Sequence, residues 1–186
     1  MRFASPPDGR GEDIVDLEVA GEGRLVIGAW AGSVNVSAGS PGIVQLEVRC
    51  RGVLPPPPLE IERDGDDVYV AGPSAPSLQW LSRWAWRKAQ LAVSVPARYS
   101  VEVATHAGRV EIRGVDGDVE ARSRSGHLVF RDVRGPIDAR TTGGSIAVSR
   151  CRGDVDATTS RGSIEIREVE GRVSAHTRSG RIAVVA

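Results

Sequence analysis

Residues 101–186 decide the fold. They read VEVATHAGRVEIRGVDGD (101–118), VEARSRSGHLVFRDVRGP (119–136), IDARTTGGSIAVSRCRGD (137–154), VDATTSRGSIEIREVEGR (155–172) and VSAHTRSGRIAVVA (173–186). The copies align at a period of 18 residues without a gap. Position one is Val or Ile, and position three is Val103 and then Ala121, Ala139, Ala157 and Ala175. Position five is Thr or Ser, and positions ten and twelve are apolar. Position eight is always Gly, from Gly108 to Gly180, and position seventeen is Gly117, Gly135, Gly153 and Gly171.

Alternation of Val, Ile and Thr at period two is the signal of half-buried strands, so each copy predicts two short strands. The glycines mark corners where positive φ or close backbone approach is needed. Identical apolar slots at a fixed period predict stacking of copy on copy, about 4.8 Å apart, each burying its neighbour's inward side chains. An antiparallel hairpin array is the main competitor, and the exact spacing without a recurring Asn-Gly or Asp-Gly turn counts against it. The apolar slots do not recur every six residues, which sets aside a left-handed hexapeptide helix. The expected fold is therefore an all-β, single-domain parallel β-solenoid, right-handed, with 18-residue coils in its C-terminal half.

Working outward, Gly23–Ile27 and Gly32–Val36 repeat the Gly-x-apolar-x-apolar element in a degenerate form. Further strands are expected at Asp16–Ala20, Ile43–Arg49, Leu59–Glu62, Asp67–Val70 and Leu91–Val95, with Pro55 to Pro58 as a stiff extended link. The organisation expected is a loose tail over 1–12 and one solenoid domain over 13–186. Within it, 13–100 form irregular coils and 101–186 the five regular repeats, the last truncated.

The segment from Leu91 to Ile166 carries a resemblance. An apolar strand ending in Val95-Pro96 is followed by Val101-x-Val103-x-Thr105-x-x-Gly108-x-Val110-x-Ile112, then by coils with Ser-Gly or Gly-Gly corners. In this it resembles the bacterial putative-adhesin family of β-strand-repeat domains over Leu91–Ala186, and back to Ile14. The resemblance implies a β-solenoid without catalytic residues, often attached to the cell envelope and in some members part of envelope-stress systems.

Composition limits the function classes. Lys plus Arg and Asp plus Glu are 24 each, so the net charge is zero, which argues against a nucleic-acid binder held by a basic field. Two Cys are too few for a disulfide framework. Cys151 replaces Val in an inward slot and reads as a small core residue. No apolar leader follows Met1, and the uncharged run from Leu25 to Leu46 has strand-and-turn composition, so the chain as written is expected to be cytoplasmic. Envelope association comes from the resemblance alone.

No G-x-S-x-G, Walker A or G-x-G-x-x-G pattern occurs. His106, His127 and His176 occupy different repeat positions and share no column, so they predict no metal site. Position two stacks Glu102, Glu120, Asp138 and Asp156; calcium is one reading, and a charge ladder balanced by Arg122 and Arg140 is the plain one. Position thirteen stacks Arg113, Arg131 and Arg167, interrupted by Ser149. That stripe suits a polyanion such as teichoic acid or lipid headgroups, against a plain solvated face. The hydroxyls of position five have no base at fixed spacing and read as a structural ladder. No enzyme activity and no cofactor is predicted.

The segment SLQWLSRWAWRKAQ (77–90) breaks the strand rhythm. It is expected to open as a short helix with Trp80 and Trp84 one turn apart and Trp86 off that face. It either caps the solenoid or forms an interaction surface of Trp80, Arg83, Trp84, Trp86, Arg87 and Lys88 for a protein, glycan or membrane-surface partner. The terminal apolar run gives a second candidate, an assembly edge at Ile182, Val184 and Val185 through which copies join end to end. The expected role is a non-enzymatic binding or structural module, with a self-assembling scaffold as the alternative. A polysaccharide-processing β-helix enzyme is the remote third.

Overall fold

The structure, a computed structural model, describes residues 12–50, 59–72 and 89–185. The described residues form strands and contain no helix. The first seven strands are β1 (Glu12–Glu18), β2 (Gly23–Trp30), β3 (Ser33–Ala38), β4 (Ile43–Cys50), β5 (Glu60–Asp64), β6 (Asp67–Ala71) and β7 (Ala89–Val95). The regular repeats then supply β8 (Tyr99–Thr105) with β9 (Val110–Arg113), β10 (Val119–Ser123) with β11 (Leu128–Arg131), and β12 (Ile137–Thr141) with β13 (Ile146–Arg152). The last two repeats give β14 (Val155–Arg161) with β15 (Ile164–Glu170), and β16 (Val173–Ser179) with β17 (Ile182–Val185).

Each repeat places one strand in each of two sheets. A nine-stranded sheet runs β1-β4-β7-β3-β9-β11-β13-β15-β17, and an eight-stranded sheet runs β16-β14-β12-β10-β8-β2-β6-β5. Within the repeats every pair is parallel and in register with the period. Val101, Val119, Ile137, Val155 and Val173 lie side by side, as do Val110, Leu128, Ile146, Ile164 and Ile182. β2 and β3 take corresponding places, with Leu25 beside Val101 and Val34 beside Val110, as the degenerate Gly-x-apolar pattern predicts.

The sheets are mixed, however, not uniformly parallel. β1–β4, β4–β7 and β5–β6 pair antiparallel. Asp64 pairs with Asp67 across the two-residue turn Gly65-Asp66, with Gly65 at φ +62°, a geometry that matches strand twist in a tight hairpin. The Gly65-Asp66 dipeptide was the readable signal for this departure. Tyr99, fully buried at the start of β8, donates its hydroxyl to the Asp66 carbonyl and ties the hairpin to the repeats.

The core lies between the sheets. Positions ten and twelve of one sheet (Val110, Ile112, Leu128, Phe130, Ile146, Val148) meet positions one and three of the other, and all are at most 2% exposed up to Ala157. Each such Leu, Ile or Phe contributes about 1.5–3 kcal/mol on burial. The small Ala at position three leaves room for the larger side chains opposite. Trp30 is also in this core, donating its indole N–H to the Ser33 carbonyl at 3.3 Å.

Corner geometry explains the glycines. A methyl group added at Gly144 would overlap the Gly126 carbonyl oxygen one repeat below. Gly153 has φ +144° and its added Cβ would meet Gly135 in the same way. The position-five hydroxyls serve these corners: Thr141 donates to Gly126 O at 3.1 Å and Thr159 to Gly144 O at 2.9 Å, while Gly144 N–H donates back to Thr141 Oγ1 at 3.2 Å. These buried hydroxyls satisfy corner backbone groups and face no nucleophile's base.

Candidate interaction surface

Because the register repeats, outward side chains form straight rows across each face. On the eight-stranded sheet the acidic row Glu102, Glu120, Asp138, Asp156 lies beside Arg122 and Arg140. Arg122 pairs with Glu120 and Arg140 with Asp138, the latter at 2.9 Å. Each cation is thus matched by the carboxylate two residues before it on its own strand. Burial pushes the Asp138 carboxyl up, Arg140 opposes this, and the neighbouring Asp156 and Glu120 add to the rise. Among the described residues no three His, Cys, Asp or Glu side chains converge on a metal position.

The outer face of the nine-stranded sheet is balanced differently. Glu111 on β9 is 9% exposed although it points outward. Three guanidiniums surround it: Arg113 at 3.1 Å, Arg109 at 3.5 Å and Arg131 at 3.6 Å. Arg113 and Arg131 are adjacent in the register of β9 and β11. Their row continues through Ser37 and Ser94 on one side and Ser149 and Arg167 on the other. The row of Glu111 itself is low on either side, with Asn35 and Ala92 one way and Val129 and Ala147 the other, before Glu47 and Glu165. Elsewhere on this face Glu47 pairs with Arg49 at 2.5 Å, and Glu165 with Arg167.

At or near the ends of β9, β11, β13 and β15 the chain carries a feature with no counterpart in the sequence pattern. Repeat position fourteen is Gly114, Asp132, Arg150 and Glu168, and all four have left-handed backbone, with φ of 70°, 54°, 52° and 52°. This column and Asp116, Arg134, Arg152 and Glu170 line a groove of about 470 Å³. Inside it Arg150 pairs with Asp132 and Arg152 with Glu170, at 2.8 and 3.2 Å. Cys151, 1% exposed, lies in its inward slot beneath the groove and donates to the Ser149 carbonyl, and burial pushes its thiol up. This matches its reading as a core residue.

Of the sequence-derived sites, Trp80, Arg83, Trp84, Trp86, Arg87 and Lys88 lie outside the described residues, as does the short helix expected there and the Pro55–Pro58 link. Ile182, Val184 and Val185 form β17 at the edge of the nine-stranded sheet and are 42%, 54% and 55% exposed. Ile182 and Val184 occupy the inward slots ten and twelve, so their exposure is that of core positions on the last rung. The three His are separate: His127 Nδ1 accepts from Ser145 N–H at 3.2 Å, and His106 and His176 sit on the other sheet's side. Among the described residues no helix is long and apolar enough to cross a membrane.

No family model and no curated protein matches the sequence. Solved structures do. A putative cell adhesion protein from Clostridium sporogenes matches with a TM-score of 0.52 at 10% identity, over 94% of this chain and 98% of that one. Putative adhesins from Parabacteroides distasonis and Parabacteroides merdae align at 12% and 10% identity, over 95% and 94% of this chain and 97% and 95% of theirs, with TM-scores of 0.32 and 0.28. At such identities the likeness to the Clostridium protein is one of fold, an adhesin-like all-β fold without a closed barrel.

Proposed function

We propose that this chain is a non-enzymatic binding module, a right-handed β-solenoid of the adhesin-like type that works at the bacterial cell envelope. One domain spans 13–186. The observation that carries the reading is the strict parallel register of residues one repeat apart, such as Glu120 beside Asp138 and Arg113 beside Arg131. Such a register turns a short sequence unit into straight rows of like side chains on rigid strands, which is how a preorganised surface engages an extended partner. The faces so formed carry paired charges and short side chains. Trp80, Trp84 and Trp86, with Arg83, Arg87 and Lys88, are proposed as a further contact region of the module.

The test is binding of the folded chain to immobilised bacterial sacculi with their attached polymers. Saturable binding that a surface substitution weakens supports the reading. Absence of saturable binding by a protein with an intact β-sheet circular dichroism spectrum overturns it.

A second reading is end-to-end assembly through β16 and β17, favoured by the exposure of the core-slot side chains Ile182 and Val184. Light scattering after size exclusion would then show species that grow with concentration, and Val184→Lys would abolish them. A monomer at every concentration would sink this reading.

A further inference from the structure

We infer that the Arg109–Arg113–Arg131 cluster around Glu111 is a binding subsite for an acidic polysaccharide, a glycan chain bearing carboxylate, sulfate or phosphate groups. The inference rests on the binding-module reading and names its ligand class.

Charge balance is the first argument. Among the described residues three guanidiniums share a single carboxylate, which leaves two positive charges in excess on one small area of a chain whose net charge is zero. The other cation pairs on the sheet faces lack this excess: Arg122, Arg140, Arg49 and Arg167 each have their own carboxylate. The groove at the corner carries no positive excess either: Asp116, Asp132, Glu168 and Glu170 outnumber Arg134, Arg150 and Arg152.

Preorganisation is the second. Glu111 is nearly buried, its side chain 11% exposed, while those of Arg109, Arg113 and Arg131 are 53%, 53% and 43% exposed. The carboxylate is therefore a nearly buried point around which three guanidiniums gather at ion-pair distance, with much of each still open to an incoming anion. Arg is the side chain suited to bidentate recognition of such groups. A ligand meeting fixed forks loses less entropy than one that must organise them.

The surroundings choose a glycan over other polyanions. Along the Arg113–Arg131 row the neighbours are the hydroxyls of Ser37 and Ser149, which can hydrogen-bond sugar hydroxyls between anionic groups. The floor beside it, Val129 and Ala147, is low and flat, so an extended chain can lie across the strands. Successive rungs lie about 4.8 Å apart, comparable to the length of one sugar residue in an extended chain. Among the described residues, no Phe, Tyr or Trp flanks the cluster in these rows to stack on nucleobases or to anchor in a bilayer.

The experiment is biolayer interferometry of the full chain on immobilised alginate and heparin, with dextran, single-stranded DNA and phosphatidylglycerol vesicles as comparison arms. The expected result is saturable, salt-sensitive binding to alginate or heparin and none to dextran. Arg113→Gln/Arg131→Gln should weaken it at least about tenfold and flatten its salt dependence by about two counterions. This variant leaves Arg109 to neutralise Glu111, and circular dichroism confirms that it folds. Arg122→Gln/Arg140→Gln on the opposite sheet should bind like the parent. Three outcomes overturn the inference: parental binding by the Arg113/Arg131 variant, equal weakening by the opposite-face variant, or binding to DNA or vesicles as tight as to the acidic glycans. A chain that binds neither acidic glycan also overturns it; if that chain still binds sacculi, the module reading stands, and if it does not, both fall.

Discussion

Arg150 grips Asp132, one repeat below it, with two hydrogen bonds, 2.8 Å from Nε and 3.0 Å from Nη2. Both residues hold left-handed backbone, a conformation that costs L-residues about 1–2 kcal/mol each. The guanidinium holds the Asp132 carboxyl below the usual carboxylate range. The turn geometry is therefore imposed by the stacked strands on either side, and the ion pair is fitted onto it.

Glu168 tests that order of causes. It has the same φ of 52°, but among the described residues its side chain makes no hydrogen bond and no ion pair within 4 Å, acting on Arg150 only through its charge at longer range. Glu168→Gly should relieve the backbone and raise stability by up to about 1 kcal/mol, less the added freedom of the unfolded chain. Arg150→Gly should be close to neutral, since relief is offset by the lost pair. Urea unfolding of both variants decides; a clear loss in Glu168→Gly would mean that the side chain holds the corner.

Two neighbouring glycines should behave oppositely. Gly144→Ala forces a methyl group onto the Gly126 carbonyl and should cost about 2–4 kcal/mol. At Gly143 the added Cβ meets only Arg124 O and Ser125 at 3.6–3.7 Å, so Gly143→Ala should shift the urea midpoint little. Equal effects would contradict the close stacking of corners.

The buried hydroxyl of Thr159, 1% exposed, donates to Gly144 O. Thr159→Val should cost about 1–3 kcal/mol by leaving that carbonyl unpaired. Thr177→Val, half-buried on the last repeat, should cost less. Thermal unfolding of the pair gives the comparison.

Tyr99 links stability to alkaline pH. Burial, with Asp66 and Asp67, pushes its phenol up to about 12 against a partial counter-effect of Arg63. The unfolded phenol titrates near pH 10, so the neutral form is favoured by folding. Its contribution is complete below about pH 10 and is lost as pH rises through about 12. Tyr99→Phe should cost about 1–2 kcal/mol at pH 8 and lose less stability than the parent between pH 8 and pH 11. Urea unfolding at both pH values checks the sign.

The C-terminal repeats were legible because stacking demands the same residue class in the same slot: Val119, Ile137 and Val155 announce their own pairing. The N-terminal antiparallel strands lack such copies, and only Gly65-Asp66 marked the hairpin. The left-handed column was hidden because its cues, Gly114 and Asp132, do not recur: Arg150 and Glu168 are not residues that advertise positive φ. The arginine stripe was visible at Arg113 and Arg131. Its excess charge was not: Arg109, Glu111 and Arg113 share one face of one strand segment, and Arg131 joins them only once β9 and β11 are paired.

The central claim is that an 18-residue unit is the interchangeable element of this fold. Excising Ile137–Asp154, one whole unit, joins Pro136 to Val155 in phase. Circular dichroism and thermal unfolding should show a β-sheet protein that still melts cooperatively, slightly below the parent, while removal of 137–145 alone should leave no cooperative transition. An unfolded in-phase deletion, or an out-of-phase deletion that folds equally well, would contradict the account.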